Sequence, residues 1–178
     1  MAEEGIQDFA FAKQKAARQA GLADSASLPD NREIEAALRE YQGLYQSEDQ
    51  PAELRHLRGV AVKVMRDFAD FGPLLVGSVL NGTANQFSDV TLQLFADDPK
   101  SIALFLVNRR CRFDQTEKRV RIGDDWVDVP QFLLEVDGVP VTLAVYSRGD
   151  EHLAPGSRPE PEGPRRARLA EVEALLQA

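Results

Sequence analysis

Val76-Gly77-Ser78-Val79-Leu80-Asn81-Gly82-Thr83-Ala84-Asn85-Gln86-Phe87-Ser88-Asp89-Val90-Thr91-Leu92 is the stretch on which the reading of this chain turns. A short apolar run from Leu74 enters it and breaks at Gly77-Ser78. A loop of small, uncharged residues follows, and Ser88-Asp89 opens the alternating segment Val90 to Phe95. Ten residues separate Ser78 from Asp89. Apolar runs punctuated by glycine and small polar residues predict strand, turn, loop, strand.

The flanks change period on either side. Upstream, Ile34, Ala37, Leu38, Tyr41, Leu44 and Tyr45 recur at helical spacing after the start signal Pro29-Asp30-Asn31. A second helix opens at Pro51, carries Leu54, Leu57, Ala61, Val64, Met65, Phe68 and Phe71 on one stripe, and stops at Gly72-Pro73. Downstream, Asp98-Pro99 starts a helix with Ile102, Phe105 and Leu106 inward. Arg112 to Ile122, Trp126 to Val136 and Val139 to Tyr146 then alternate across the turn residues Gly123-Asp124-Asp125 and Asp137-Gly138, a three-stranded antiparallel meander. Pro130 and Pro140 each lack an N–H, so their strands should be bulged or interrupted, or turn that position to an edge. Residues 150–164, with four prolines, read as a mobile loop, and Arg165 to Ala178 as a closing helix. The expected fold is α+β: a mixed, mostly antiparallel sheet with helices packed on it. Residues 1–28 form an N-terminal arm. Residues 29–178 form one domain, with a helical lead-in over 29–72 and a sheet core over 73–147.

Composition narrows the function classes. The chain has 178 residues, 43% hydrophobic and 28% charged, with a formal net charge of −8. Those proportions support a core without staples. A pI near 4.8 argues against nucleic acid as a general partner. No long apolar run or charged leader stands out, so membrane spans and secretion are not expected. One cysteine, Cys111, and two histidines, His56 and His152, give no disulfide and no Cys/His zinc set, which fits a reducing cytoplasm.

Gly77-Ser78 after a strand, with Ser88-Asp89 ten residues on, resembles the nucleotidyltransferase superfamily of polymerase-β-like fold, in its small stand-alone bacterial type. Gly82 falls where such members often carry a second glycine. The resemblance implies a definite chemistry. Gly77, Ser78 and Gly82 would face the phosphates of an NTP, because glycine allows close backbone approach and hydroxyl and N–H groups donate. Asp89 would be the catalytic carboxylate holding Mg²⁺, which bridges the triphosphate while a nucleoside monophosphate passes to a hydroxyl acceptor.

The sequence departs from that pattern at two positions. Thr91 stands where the family places a second aspartate. On the later strand the third carboxylate is replaced by Thr142, since the side opposite Val141, Leu143 and Val145 offers only Pro140, Thr142, Ala144 and Tyr146. With the loop uncharged, phosphate affinity would come from backbone groups or from Arg109, Arg110 and Arg112, and Asp128 is a candidate displaced acid. Two readings stay open: an Mg²⁺-dependent transferase, or an inactive relative binding a nucleotide or a protein partner. Blander roles compete elsewhere. Asp97-Asp98 caps the helix at Pro99, Trp126 packs a hairpin, and His56, His152 and Cys111 have no catalytic partner.

Overall fold

The computed structural model describes residues 50–85, 87–122, 125–157 and 165–177, together with Lys13, Pro29, Glu33, Ile34 and Ala37. The N-terminal arm and the helix after Pro29 therefore lie outside the described residues, apart from those isolated positions. Helix α1 runs Gln50–Asp67, with Pro51 in its first turn where a missing N–H costs nothing. A 3₁₀ turn, Ala69–Phe71, extends it to Gly72, which adopts the left-handed conformation ahead of Pro73. Strand β1 (Leu74–Val76) leads into the one-turn helix α2 (Ser78–Asn81). Strand β2 (Val90–Phe95), helix α3 (Lys100–Asn108), strands β3 (Phe113–Ile122), β4 (Asp125–Val136) and β5 (Val139–Tyr146), and helix α4 (Leu169–Gln177) complete the order.

The five strands form one sheet in the order β1-β2-β5-β4-β3. Only β2 and β5 run parallel, and the other three pairings are antiparallel, so the α+β mixed sheet is the architecture observed. Period two then sorts the side chains. Val90, Leu92, Leu94, Val141, Leu143, Val145 and Phe132 face the main core, which α1 fills with Leu57, Ala61, Val64, Met65 and Phe68, α3 with Ile102 and Leu106, and α4 with Val172. Phe68, Phe71 and Phe105 meet as an aromatic cluster between α1 and α3, with centroids 4.7 to 6.2 Å apart. The opposite side of the sheet carries Thr91, Gln93 and Phe95 beside Thr142, Ala144 and Tyr146. Part of it is covered by a smaller cluster that includes Leu74, Ile122, Val129 and Ala154.

Of the alternatives for Pro130 and Pro140 the free side is the one observed, and the closing helix is shorter than expected. The register runs unbroken past Pro130 and Pro140. Pro130 precedes the first β4–β5 pair at Gln131, and Pro140 precedes the first β2–β5 pair at Val141, so each has a side with no ladder to interrupt. Residues 165–168 are not helical. Leu75 and Ala167 exchange both backbone bonds at 2.9 Å, covering the outer edge of β1, and α4 starts only at Leu169. A helical 167 would forfeit that pair. The part of the 150–164 loop that is described, 150–157, is pinned to the sheet: Arg166 donates to the carbonyls of Glu151, Ala154 and Pro155 at 2.7, 2.6 and 3.0 Å, and Gln93 Nε2 donates to Pro155 O at 2.9 Å.

Candidate functional site

Where β1 ends, Gly77 takes φ 78°, ψ −155°, a region open in practice only to glycine. That conformation turns the chain directly into α2, whose Asn81 amide donates to Gly77 O at 3.0 Å. Gly82 closes the helix in the left-handed region with φ 80°, and the Thr83 amide reaches back to Ser78 O. The rest of the loop is self-bonded. The Asn85 amide donates to Ser88 Oγ at 3.0 Å, the Ser88 amide to Asn85 O at 2.9 Å, and the Phe87 amide to Asn85 Oδ1 at 3.0 Å. Buried Ser88 thus fixes the approach of Asp89 to β2.

Val76, the last residue of β1, pairs with Thr91, so the turn at Gly77-Ser78 lies at the end of β2 at which Asp89 enters the strand. Thr91 in turn pairs with Thr142 across the parallel β2–β5 ladder. Their hydroxyls converge: Thr142 Oγ1 donates to Asp89 Oδ2 at 2.9 Å, and Thr91 Oγ1 donates to the same oxygen at 3.3 Å. The structure therefore brings together Gly77, Ser78, Asp89, Thr91 and Thr142, with Gly82 at the back of the loop. Gly77 is exposed, and Ser78, Asp89, Thr91 and Thr142 are half-buried, accessible from the side of the sheet away from the helices. A separate cleft of about 470 Å³ is lined by Arg112, Asp114, Leu133, Leu134, Glu135 and Pro140, of which Leu133 pairs with Thr142.

Other candidates are placed elsewhere. Asp128 lies four residues before Phe132 in β4, on the same face, the helix side of the sheet, and pairs with Arg119 of β3, so parity and distance both remove it from Asp89. Arg109 is held by Asp67 at 2.7 Å and lies 4.5 Å over the Phe105 ring. Asp98 Oδ1 accepts the Lys100 amide at 2.9 Å, the capping role read from Asp97-Asp98, whereas Asp97 Oδ1 accepts the Arg148 amide at 3.2 Å. Trp126 is 62% exposed, so it is not buried in hairpin packing. Cys111 is a free, exposed thiol.

One contributor was not foreseen. Arg58 Nε donates to Val79 O, Nη2 to Leu80 O and Nη1 to Leu175 O, at 3.2, 3.3 and 3.4 Å. It fastens the C-terminal end of α2, and so the glycine loop, to α1 and α4, and burial lowers its pKa from the ordinary arginine value. The signal was present in the sequence: Arg58 sits four residues after Leu54 and three before Ala61, on the apolar stripe of its helix.

Tested for a magnesium site, the residues do not fit. Among the described residues no group of three His, Cys, Asp or Glu side chains is placed to hold a metal ion. Mg²⁺ asks for near-octahedral oxygen ligation. Here one carboxylate faces two neutral hydroxyls whose protons point at it.

No protein-family model matches the sequence, and no curated protein matches it. Two solved structures are similar in part. One is that of a GLD-2/RNP-8 complex, at 18% identity over 65% of this chain and 48% of that chain, with a TM-score of 0.34. The other is that of Cid1, described by its RNA terminal uridylyl transferase activity, at 18% identity over 68% of this chain and 38% of that chain, with a TM-score of 0.32. This chain spans less than half the length of either. Among the described residues no helix is long and apolar enough to cross a membrane.

Proposed function

We propose that this chain is a nucleotidyltransferase-like protein of the inactive kind, a nucleotide- or protein-binding module that keeps the glycine-serine loop but does not carry out metal-dependent transfer of a nucleoside monophosphate. One observation carries the reading: both threonines that occupy the family's carboxylate positions donate to a single oxygen of Asp89. Two-metal transfer needs several anionic oxygens around the ions to hold attacking and leaving groups in line. A lone carboxylate leaves most of the ionic charge uncompensated, and without a metal its own charge opposes a triphosphate on the adjacent loop. Gly77 and Ser78 remain suited to a less charged ligand, with Ser78 half-buried at the end of β2 at which Asp89 enters.

Calorimetric titration with Mg²⁺, MgATP and MgCTP tests this, paired with Asp89→Asn. The expected result is Mg²⁺ binding no tighter than millimolar order and NTP binding that is weak and insensitive to metal. Tight, metal-dependent binding abolished by Asp89→Asn would overturn the reading in favour of an active transferase. A reconstruction provides the converse check. Thr91→Asp combined with Thr142→Asp places three carboxylates at paired positions and should tighten Mg²⁺ binding at least tenfold, about 1.4 kcal/mol.

A further inference from the structure

At the opposite end of β2 from Asp89, six residues or about 20 Å along the strand, a second cleft of about 490 Å³ opens beside the β1 edge. That volume lies within the ordinary range of small-molecule sites. Its floor is apolar: Met65, Leu74 and Phe95 are buried in the protein yet line the cleft, and Phe71 stands beside them. Its rim carries two cations and two anions from three different segments. Glu151 and Arg168 face each other at 3.7 Å. That leaves Asp70, from the 3₁₀ turn after α1, and Arg148, from the turn after β5. Neither side chain has an ion-pair or hydrogen-bond partner among the described residues. The backbone under Arg148 is nonetheless fixed, because its amide donates to Asp97.

An apolar floor flanked by a carboxylate and a guanidinium that have no side-chain partner among the described residues is complementary to a molecule with an ammonium, a carboxylate and an apolar body. We propose that this cleft binds a small zwitterion, an α-amino acid with an apolar side chain, with its carboxylate on Arg148, its ammonium on Asp70 and its side chain over Phe71 and Phe95. The guanidinium fork matches a carboxylate in two-point geometry, and each charge-assisted bond is stronger than a neutral one. The proposal is independent of what binds beside Asp89.

Met65 supplies a reporter, because the only other methionine is Met1. With ¹³C-methyl methionine labelling, L-phenylalanine and L-leucine should shift the Met65 resonance saturably, with a Kd of millimolar order or tighter. Arg148→Gln and Asp70→Asn, both at exposed positions, should each weaken binding at least tenfold with an unchanged melting temperature. Phenethylamine and 3-phenylpropionate, each lacking one of the two charges, should bind the unaltered protein at least tenfold more weakly than phenylalanine. An unmoved Met65 signal, affinity retained in either variant, or equal binding of a singly charged analogue would each overturn the proposal.

Discussion

Replacing Gly77 by alanine isolates the backbone conformation that turns β1 into the loop. A Cβ at this position would meet nothing within 4 Å, so no collision contributes. The cost is that of holding an L-residue at φ 78°, ψ −155°. Residues forced into such sparsely populated regions cost about 1–3 kcal/mol, and this one is essentially restricted to glycine, which puts the value toward the upper end. At about 2–4 °C per kcal/mol for a chain of this size, melting should fall by about 4–12 °C. The mirror image of the observed conformation, φ −78°, ψ 155°, is ordinary extended backbone for the opposite hand. D-alanine introduced at position 77 by protein ligation should therefore be tolerated, and should add about 0.4–1 kcal/mol by restricting the unfolded chain. Urea and thermal denaturation of the two chains give the comparison directly. An L-alanine variant within about 0.5 kcal/mol of the parent, or a D-alanine chain as unstable as the L-alanine one, would refute the conformational account.

Arg58→Met keeps the apolar stem but removes three donors, two of them from carbonyls of the buried residues Val79 and Leu80; at about 1–3 kcal/mol for each orphaned buried acceptor it should cost about 2–6 kcal/mol in urea denaturation, and a loss below about 1 would show that water replaces them freely. Arg166→Met should release residues 150–157, seen as faster hydrogen exchange at the Ala154 and Ser157 amides, which bond within that segment, with β2 and β5 amides unchanged. Burial raises the Tyr146 pKa above its ordinary value, against a smaller opposing effect of Arg166. The folded state thus holds this proton longer than the unfolded chain. Its contribution is intact below the unfolded value of about 10 and is lost as pH rises through the folded value. A pH series of melting temperatures should show that alkaline decline, and Tyr146→Phe should lessen it.

How much the sequence made legible depended on the range of each signal. The Gly72-Pro73 stop, the Asp137-Gly138 hairpin and the alternation through Val139 to Tyr146 are local, and the elements formed where those residues indicated. The start of α4 was misplaced because residues 165–168 answer to a strand 92 residues earlier, at the Leu75–Ala167 bridge. The anchoring of the described part of the proline-rich loop has a similar origin. Arg166 and Gln93, which pin it, give no sign in their own neighbourhoods of which carbonyls they will reach.

The candidate site divides along the same line. Spacing alone put Ser78, Asp89 and Thr91 within one strand-loop-strand unit, because residues two apart on a strand share a side and a short loop returns the chain to its neighbour. Thr142 was reachable from the sequence only through the pairing that the family resemblance supplies. That β2 lies parallel to β5 rather than beside β3, that Thr142 therefore donates to Asp89, and that Arg58 secures the glycine loop were decided by the tertiary structure. Periodicity and turn chemistry depend on neighbours a few residues away. Strand order and long-range hydrogen bonds depend instead on which apolar surfaces bury one another best across the whole chain, a competition no single segment contains.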